Sequence, residues 1–193
     1  MSPSDHAFQS GNIPAIDTDV VTGLNKLAEF YFNHDAYVQA ERLYQLVLTM
    51  REKAFGPEHA DVADSLANLA ALYDAQGNYA QAEPLYQRTL AIYEKAKEPE
   101  SFLVATSLDN LADLYHAQGE YAQAEPLYRR ALAIWEAVPE VGYPDALIAM
   151  ENYVDLLRKT KREREAIELE IRAHFIRVTY VQEPTPESER PKN

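Results

Sequence analysis

The stretch NLAALYDAQGNYAQAEPLYQRTLAIYE, Asn68 to Glu94, returns as NLADLYHAQGEYAQAEPLYRRALAIWE, Asn110 to Glu136, with six of 27 positions changed. The offset is 42 residues, and it also relates Leu24 to Leu66, Leu108 and Met150. Four tandem units over about residues 19–177 follow from that period. A chain that repeats its framework this closely draws any specificity from the positions it varies. Two of the six, Ala71 against Asp113 and Asp74 against His116, fall on one helical face.

Within a unit the apolar residues have helical spacing. Leu24, Leu27, Ala28 and Tyr31 stand at i, i+3, i+4 and i+7, as do Leu66, Leu69, Ala70 and Tyr73 one unit later. Gln76-Gly77-Asn78 and Gln118-Gly119-Glu120 end this first helix, because glycine accepts the positive φ of a helix stop. Asp35 and Lys161 hold the same place in the outer units. A second helix opens near Tyr37, Tyr79 and Tyr121, where alanines permit close approach and tyrosines fill the space between helices. Pro84 and Pro126 predict an irregular opening turn in that helix and not a break. Phe55 to Ala60, Lys97 to Glu100 and Pro139 to Pro144 read as loops between units. One helix pair cannot bury its own apolar face, whereas stacked pairs make a continuous core, so the fold is an all-α αα-solenoid.

The division is then 1–18 as a flexible lead-in, repeats at 19–60, 61–102 and 103–144, a divergent fourth repeat with a C-terminal cap at 145–181, and a disordered, proline-rich tail at 182–193. With 193 residues, 47% of them hydrophobic, the chain has ample material for a core. It has no cysteine, which removes disulfide and thiolate-metal chemistry and fits a reducing, cytoplasmic setting. The formal net charge of −13 repels nucleic acid and anionic lipid, and no apolar run approaches membrane-spanning length. There is no phosphate-binding glycine loop, nucleophile elbow or paired-histidine metal motif. The reading is therefore of a protein that is not an enzyme and needs no cofactor or metal.

Leu66, Leu69-Ala70, Tyr73, Gly77, Tyr79, Ala82, Tyr86 and Leu90 together resemble the tetratricopeptide repeat, and the 42-residue period with GPEHADVADSLANLA at Gly56 to Ala70 resembles the kinesin light chain type. The resemblance covers about 160 residues and weakens in the second helix of repeat four. It implies a right-handed superhelix of four helix pairs whose concave surface, lined by the first helix of each pair, binds extended peptides of partner proteins. It also implies that asparagines at Asn68, Asn110 and Asn152 form a ladder against the peptide backbone, since an amide both donates and accepts. Lys26 replaces the amide in repeat one. The alternative use of these amides is to brace neighbouring helices.

The same register makes Asn25, Asp64, Ala71, Asp74, Asp109, Asp113, His116, Asp155 and Arg158 groove positions. Their acidic middle predicts a partner segment bearing lysine or arginine. A solvated acidic face is the competing account. Asp109, Asp113 and His116 also stand at i, i+4 and i+7, a weak spacing for a cation. Arg158, in the one dense basic run, offers an anion clamp at an end of the groove or a complement to a helix dipole. Ile167, Ile171 and Phe175 add an apolar stripe to the last helix, where repeat two has Glu83, Gln87 and Ala91. Either Val178, Tyr180 and Val181 fold back over it, or a second subunit covers it, making the protein a monomer or a homodimer and, in the second case, a self-associating scaffold.

Overall fold

The computed structural model describes residues 17–96, 101–137 and 139–180. The lead-in and tail expected at the two ends lie outside these residues, apart from Asp17 and the start of the first helix. The described residues form eight helices and no strand: α1 (Thr18–Phe32), α2 (Tyr37–Phe55), α3 (Ala60–Ala75), α4 (Tyr79–Lys95), α5 (Phe102–Ala117), α6 (Tyr121–Ala137), α7 (Pro139–Lys159) and α8 (Glu163–Tyr180). Each helix packs on its successor, which makes an all-α solenoid. No described helix is long and apolar enough to cross a membrane.

The four hairpins share one turn. The N–H groups of Ala36, Asn78, Glu120 and Arg162 reach back to the carbonyls of Tyr31, Tyr73, Tyr115 and Leu157 at 2.8–2.9 Å. Such a closure puts the residue before each donor in the left-handed region. That residue is Asp35, Gly77, Gly119 or Lys161, with φ of 55°, 71°, 78° and 61°. Helix starts are less uniform. Asp17 caps α1 by accepting from the N–H groups of Asp19 and Val20, and His59 Nδ1 caps α3 by accepting from Asp61 N–H.

Two local expectations change. Pro139 to Pro144, read as a loop, belong to α7, which begins at Pro139. Proline suits a first helical position because its missing N–H has no partner there anyway. Pro84 and Pro126 sit inside helices that are continuous from Tyr79 and Tyr121, unbroken as expected but without the irregular opening turn, and each forfeits one hydrogen bond.

The core consists of the 42-residue period made solid. Val62, Leu66, Leu72, Val104, Leu108 and Leu114 are fully buried, whereas their repeat-one counterparts Val20, Leu24 and Phe30 are not, so each packs between its own hairpin and the preceding one. Two sets of polar contacts repeat along the outside of these junctions. Tyr73 and Tyr115 donate to Glu41 and Glu83 at 2.8 and 2.9 Å, and each also accepts from a glutamine, Gln45 or Gln87. At the third junction Tyr153, one helical turn earlier in register, donates to Glu125 and accepts from Arg129. On the even-numbered helices Arg88, Arg130 and Arg172 each pair with a glutamate 36 residues earlier: Glu52, Glu94 and Glu136.

Candidate functional site

α5 and α7 touch directly, while no two even-numbered helices meet to a similar extent among the described residues, which puts the first helices on the inner wall of the stack at that junction. Asn68, Ala71, Asp74, Asp109, Asn110, Asp113, His116 and Asn152 are all half-buried on these helices, and Lys26, Asp64, Asp155 and Arg158 are exposed.

Several of these side chains are committed to the protein itself. Tyr93 donates to Asp64 and Tyr128 donates to Asp113. Trp135 Nε1 donates to Asp109 Oδ2 at 2.8 Å. Asn152 Nδ2 donates to Asp113 Oδ1 at 2.9 Å, so the third amide of the predicted ladder braces α7 against α5. His116 Nε2 lies 3.1 Å from Asp155 Oδ2, off the ideal direction for its ring nitrogen, and Lys159 holds the same Asp155 oxygen at 2.8 Å. The i, i+4, i+7 spacing of Asp109, Asp113 and His116 thus resolves into three separate internal contacts. Among the described residues no three His, Asp or Glu side chains converge as a metal site would require.

Arg158 is also engaged. It pairs with Glu170 of α8 at 2.9 Å and lies 3.6 Å from Glu163, so its charge is neutralised within the last hairpin. It lines a cleft of about 330 Å³ between α7 and α8 that Glu151, Glu170 and Arg177 share. That mixed lining does not make a basic clamp.

What remains for a ligand is the middle of the wall. Asn68 and Asn110 make no side-chain hydrogen bond with the described residues, and they stand half-buried at equivalent positions of α3 and α5. Beside them are acids without a cation. Burial, reinforced by the charge of Asp113, raises the pKa of Asp74. Burial pushes Asp109 up to about 7 against the help of its Trp135 hydrogen bond, and its Oδ1 has no partner. Burial also raises Asp113, with the Tyr128 and Asn152 hydrogen bonds acting in the opposite direction. Desolvation without a counter-charge has this effect on carboxylates. None of Asp64, Asp74, Asp109 and Asp113 takes part in an ion pair with an Arg or Lys among the described residues. In repeat one, Asn25 also has a buried, unpartnered Oδ1.

The residues the sequence reading passed over are the donors behind the wall: Tyr93, Tyr128 and Trp135. Tyr93 and Trp135 are aligned copies, yet they serve Asp64 and Asp109, which are not aligned with each other. The partner moves by a turn when tyrosine becomes tryptophan, and period alone carries no signal for that.

The family model of the tetratricopeptide repeat matches residues 19–95 and 103–175. No curated protein matches the sequence. Among solved structures, BtubC (BKLC) from P. vanneervenii superposes with a TM-score of 0.77 at 23% identity, covering 90% of this chain and 69% of its own. A kinesin light chain protein of nearly identical TPR-like repeats from Podosopora anserina gives a TM-score of 0.73 at 25% identity, over 89% of this chain and 79% of its own. Aspartyl phosphate phosphatase F from Bacillus subtilis gives 0.74 at 16% identity, over 83% of this chain and 41% of its own.

Proposed function

Because the chain belongs to the tetratricopeptide repeat family, in its kinesin light chain type, we propose that it is a protein-interaction module whose concave wall holds an extended partner segment carrying lysine or arginine. The observation that supports this is that two amides without a side-chain hydrogen bond, Asn68 and Asn110, share the odd-numbered helices with half-buried acids that have no Arg or Lys partner among the described residues. The amides bind the segment's backbone whatever its side chains, and Asp74, whose carboxylate forms no hydrogen bond with the described residues, receives the cation. Asp113 strengthens the negative field from behind, and Asp109 adds to it as pH rises above about 7. Asn152, Asp155 and Arg158 serve as the frame of the groove. Lys26 closes it at the repeat-one end, where a cation repels the same segment.

Fluorescence anisotropy against a random peptide library tests this reading. The hits should be enriched in lysine and arginine. Asn68→Ala combined with Asn110→Ala should weaken them at least about tenfold, the equivalent of two ordinary hydrogen bonds. Hits without cationic enrichment, or an unchanged affinity in the double variant, would refute it.

A further inference from the structure

The two end faces of the solenoid are changed in matching ways. At each internal junction, the even-numbered helix of the preceding repeat supplies a glutamate to an arginine on the even-numbered helix that follows: Glu52 to Arg88, Glu94 to Arg130 and Glu136 to Arg172. Continued by 42 residues in both directions, the arginine position becomes Leu46 on α2 and the glutamate position becomes Val178 on α8. Leu46 is 47% exposed and Val178 61% exposed. An ion-pair position has turned apolar on both of its halves, one at each end of the chain.

The rest of each face follows. On α8, Ile167 and Ile171 replace the Glu and Gln or Arg that grip the tyrosine of the next repeat, and they are 46% and 65% exposed. Phe175 takes the place of Ala91 and Ala133. Val178 lies within α8, which runs on through Tyr180, so it lengthens the stripe and does not fold back over it as the sequence reading allowed. On α1, Val20, Leu27 and Phe30 are exposed, whereas their counterparts Val62, Leu69 and Leu72 are buried against the preceding repeat. The α1 face therefore has the chemistry of a surface that packs on a preceding α-hairpin, and the α8 face is apolar at Ile167, Ile171, Phe175 and Val178.

We infer that the α1–α2 face of one copy docks on the α8 face of a second copy, head to tail, with Leu46 against Val178 in place of the internal Arg–Glu pair. This contact is heterologous, so it generates rings or filaments and not a two-fold dimer. It is independent of what the concave wall binds, because neither Asn68 nor Asp74 takes part.

Sedimentation equilibrium on the full chain provides the test. The weight-average mass should climb with concentration beyond twice the monomer's 21.9 kDa. Leu46→Arg alone and Val178→Glu alone should each lower the association constant at least about tenfold, since each buries an unpaired charge at the junction. Mixing the two variants should restore assembly, because one of the two alternating junctions regains the Arg–Glu pair and the other is unchanged. Recovery on mixing also excludes misfolding as the reason for the single losses. A chain that stays monomeric at every concentration, as it would with residues 1–16 covering α1, overturns the inference. So does a dimer sensitive to Val178→Glu and indifferent to Leu46→Arg, which would mark an isologous α8–α8 contact.

Discussion

At the scale of single residues, the differences between the two best copies are mostly repairs to internal bonding. Asp113 replaces Ala71 and gains Tyr128 and Asn152, while Trp135 replaces Tyr93 and gains Asp109. Gln87 and Arg129 each bind the tyrosine of the following repeat. The positions expected to confer selectivity, Asp113 and His116, are thus occupied, and Asp74 is the varied position left open. Asp109 has an additional consequence for stability. Its folded-state pKa of about 7 stands above the ordinary 3.8, so the folded chain retains a proton that the unfolded chain releases. Stability therefore falls as pH rises from about 4 to about 7. Asp109→Asn, which still accepts from Trp135, should stabilise the protein at pH 8 by on the order of a few kcal/mol and leave it unchanged near pH 4. Thermal melts at the two pH values measure this. Equal effects at both would remove the buried, uncompensated carboxylate from the account. The sequence shows the acid at this position but not its burial, because the donor that holds it comes from another helix, 26 residues away.

At the scale of the element, each hairpin turn needs one residue in the left-handed region. Gly77 and Gly119 meet the need without strain, and Asp is among the residues that tolerate it. Lys161, at φ 61°, does neither. Lys161→Gly should stabilise by about 1 kcal/mol and raise the melting temperature by about 2–4 °C. Gly119→Ala should lower it by a similar amount, and a flat response in both would mean that the turn tolerates any residue. These turns were legible in sequence because glycine marks two of them and the period locates the others. The start of α7 was not. Two prolines and a glycine in PEVGYP spell a loop locally, but Pro139 fits the first helical position and Pro144, inside α7, forfeits one hydrogen bond without ending the helix.

At the scale of the whole molecule, the repeats are joined by apolar burial, with the polar contacts setting their register. The fully buried Leu114 fills the junction between repeats two and three, and Leu114→Ala should cost about 2–5 kcal/mol. Arg130→Ala removes a pair whose members remain 46% and 36% exposed, so it should cost less than about 1 kcal/mol. Denaturant midpoints distinguish the two, and equal losses would mean that the ion-pair ladder holds the stack together. That ladder recurs at the 42-residue period and could have been read from Glu52, Glu94 and Glu136 with Arg88, Arg130 and Arg172. Which residues of the inner wall remain free could not, since freedom depends on partners supplied by neighbouring hairpins.

The central claim is that a cation of the bound segment answers an acid of the wall. The measurement that tests it most directly is a double-mutant cycle between Asp74→Asn and replacement of the selected peptide's lysine by norleucine, read as binding affinity. The account predicts that norleucine weakens binding to the unaltered protein by about tenfold and changes binding to the Asp74→Asn variant little. Equal losses on both proteins, or none on either, would contradict it.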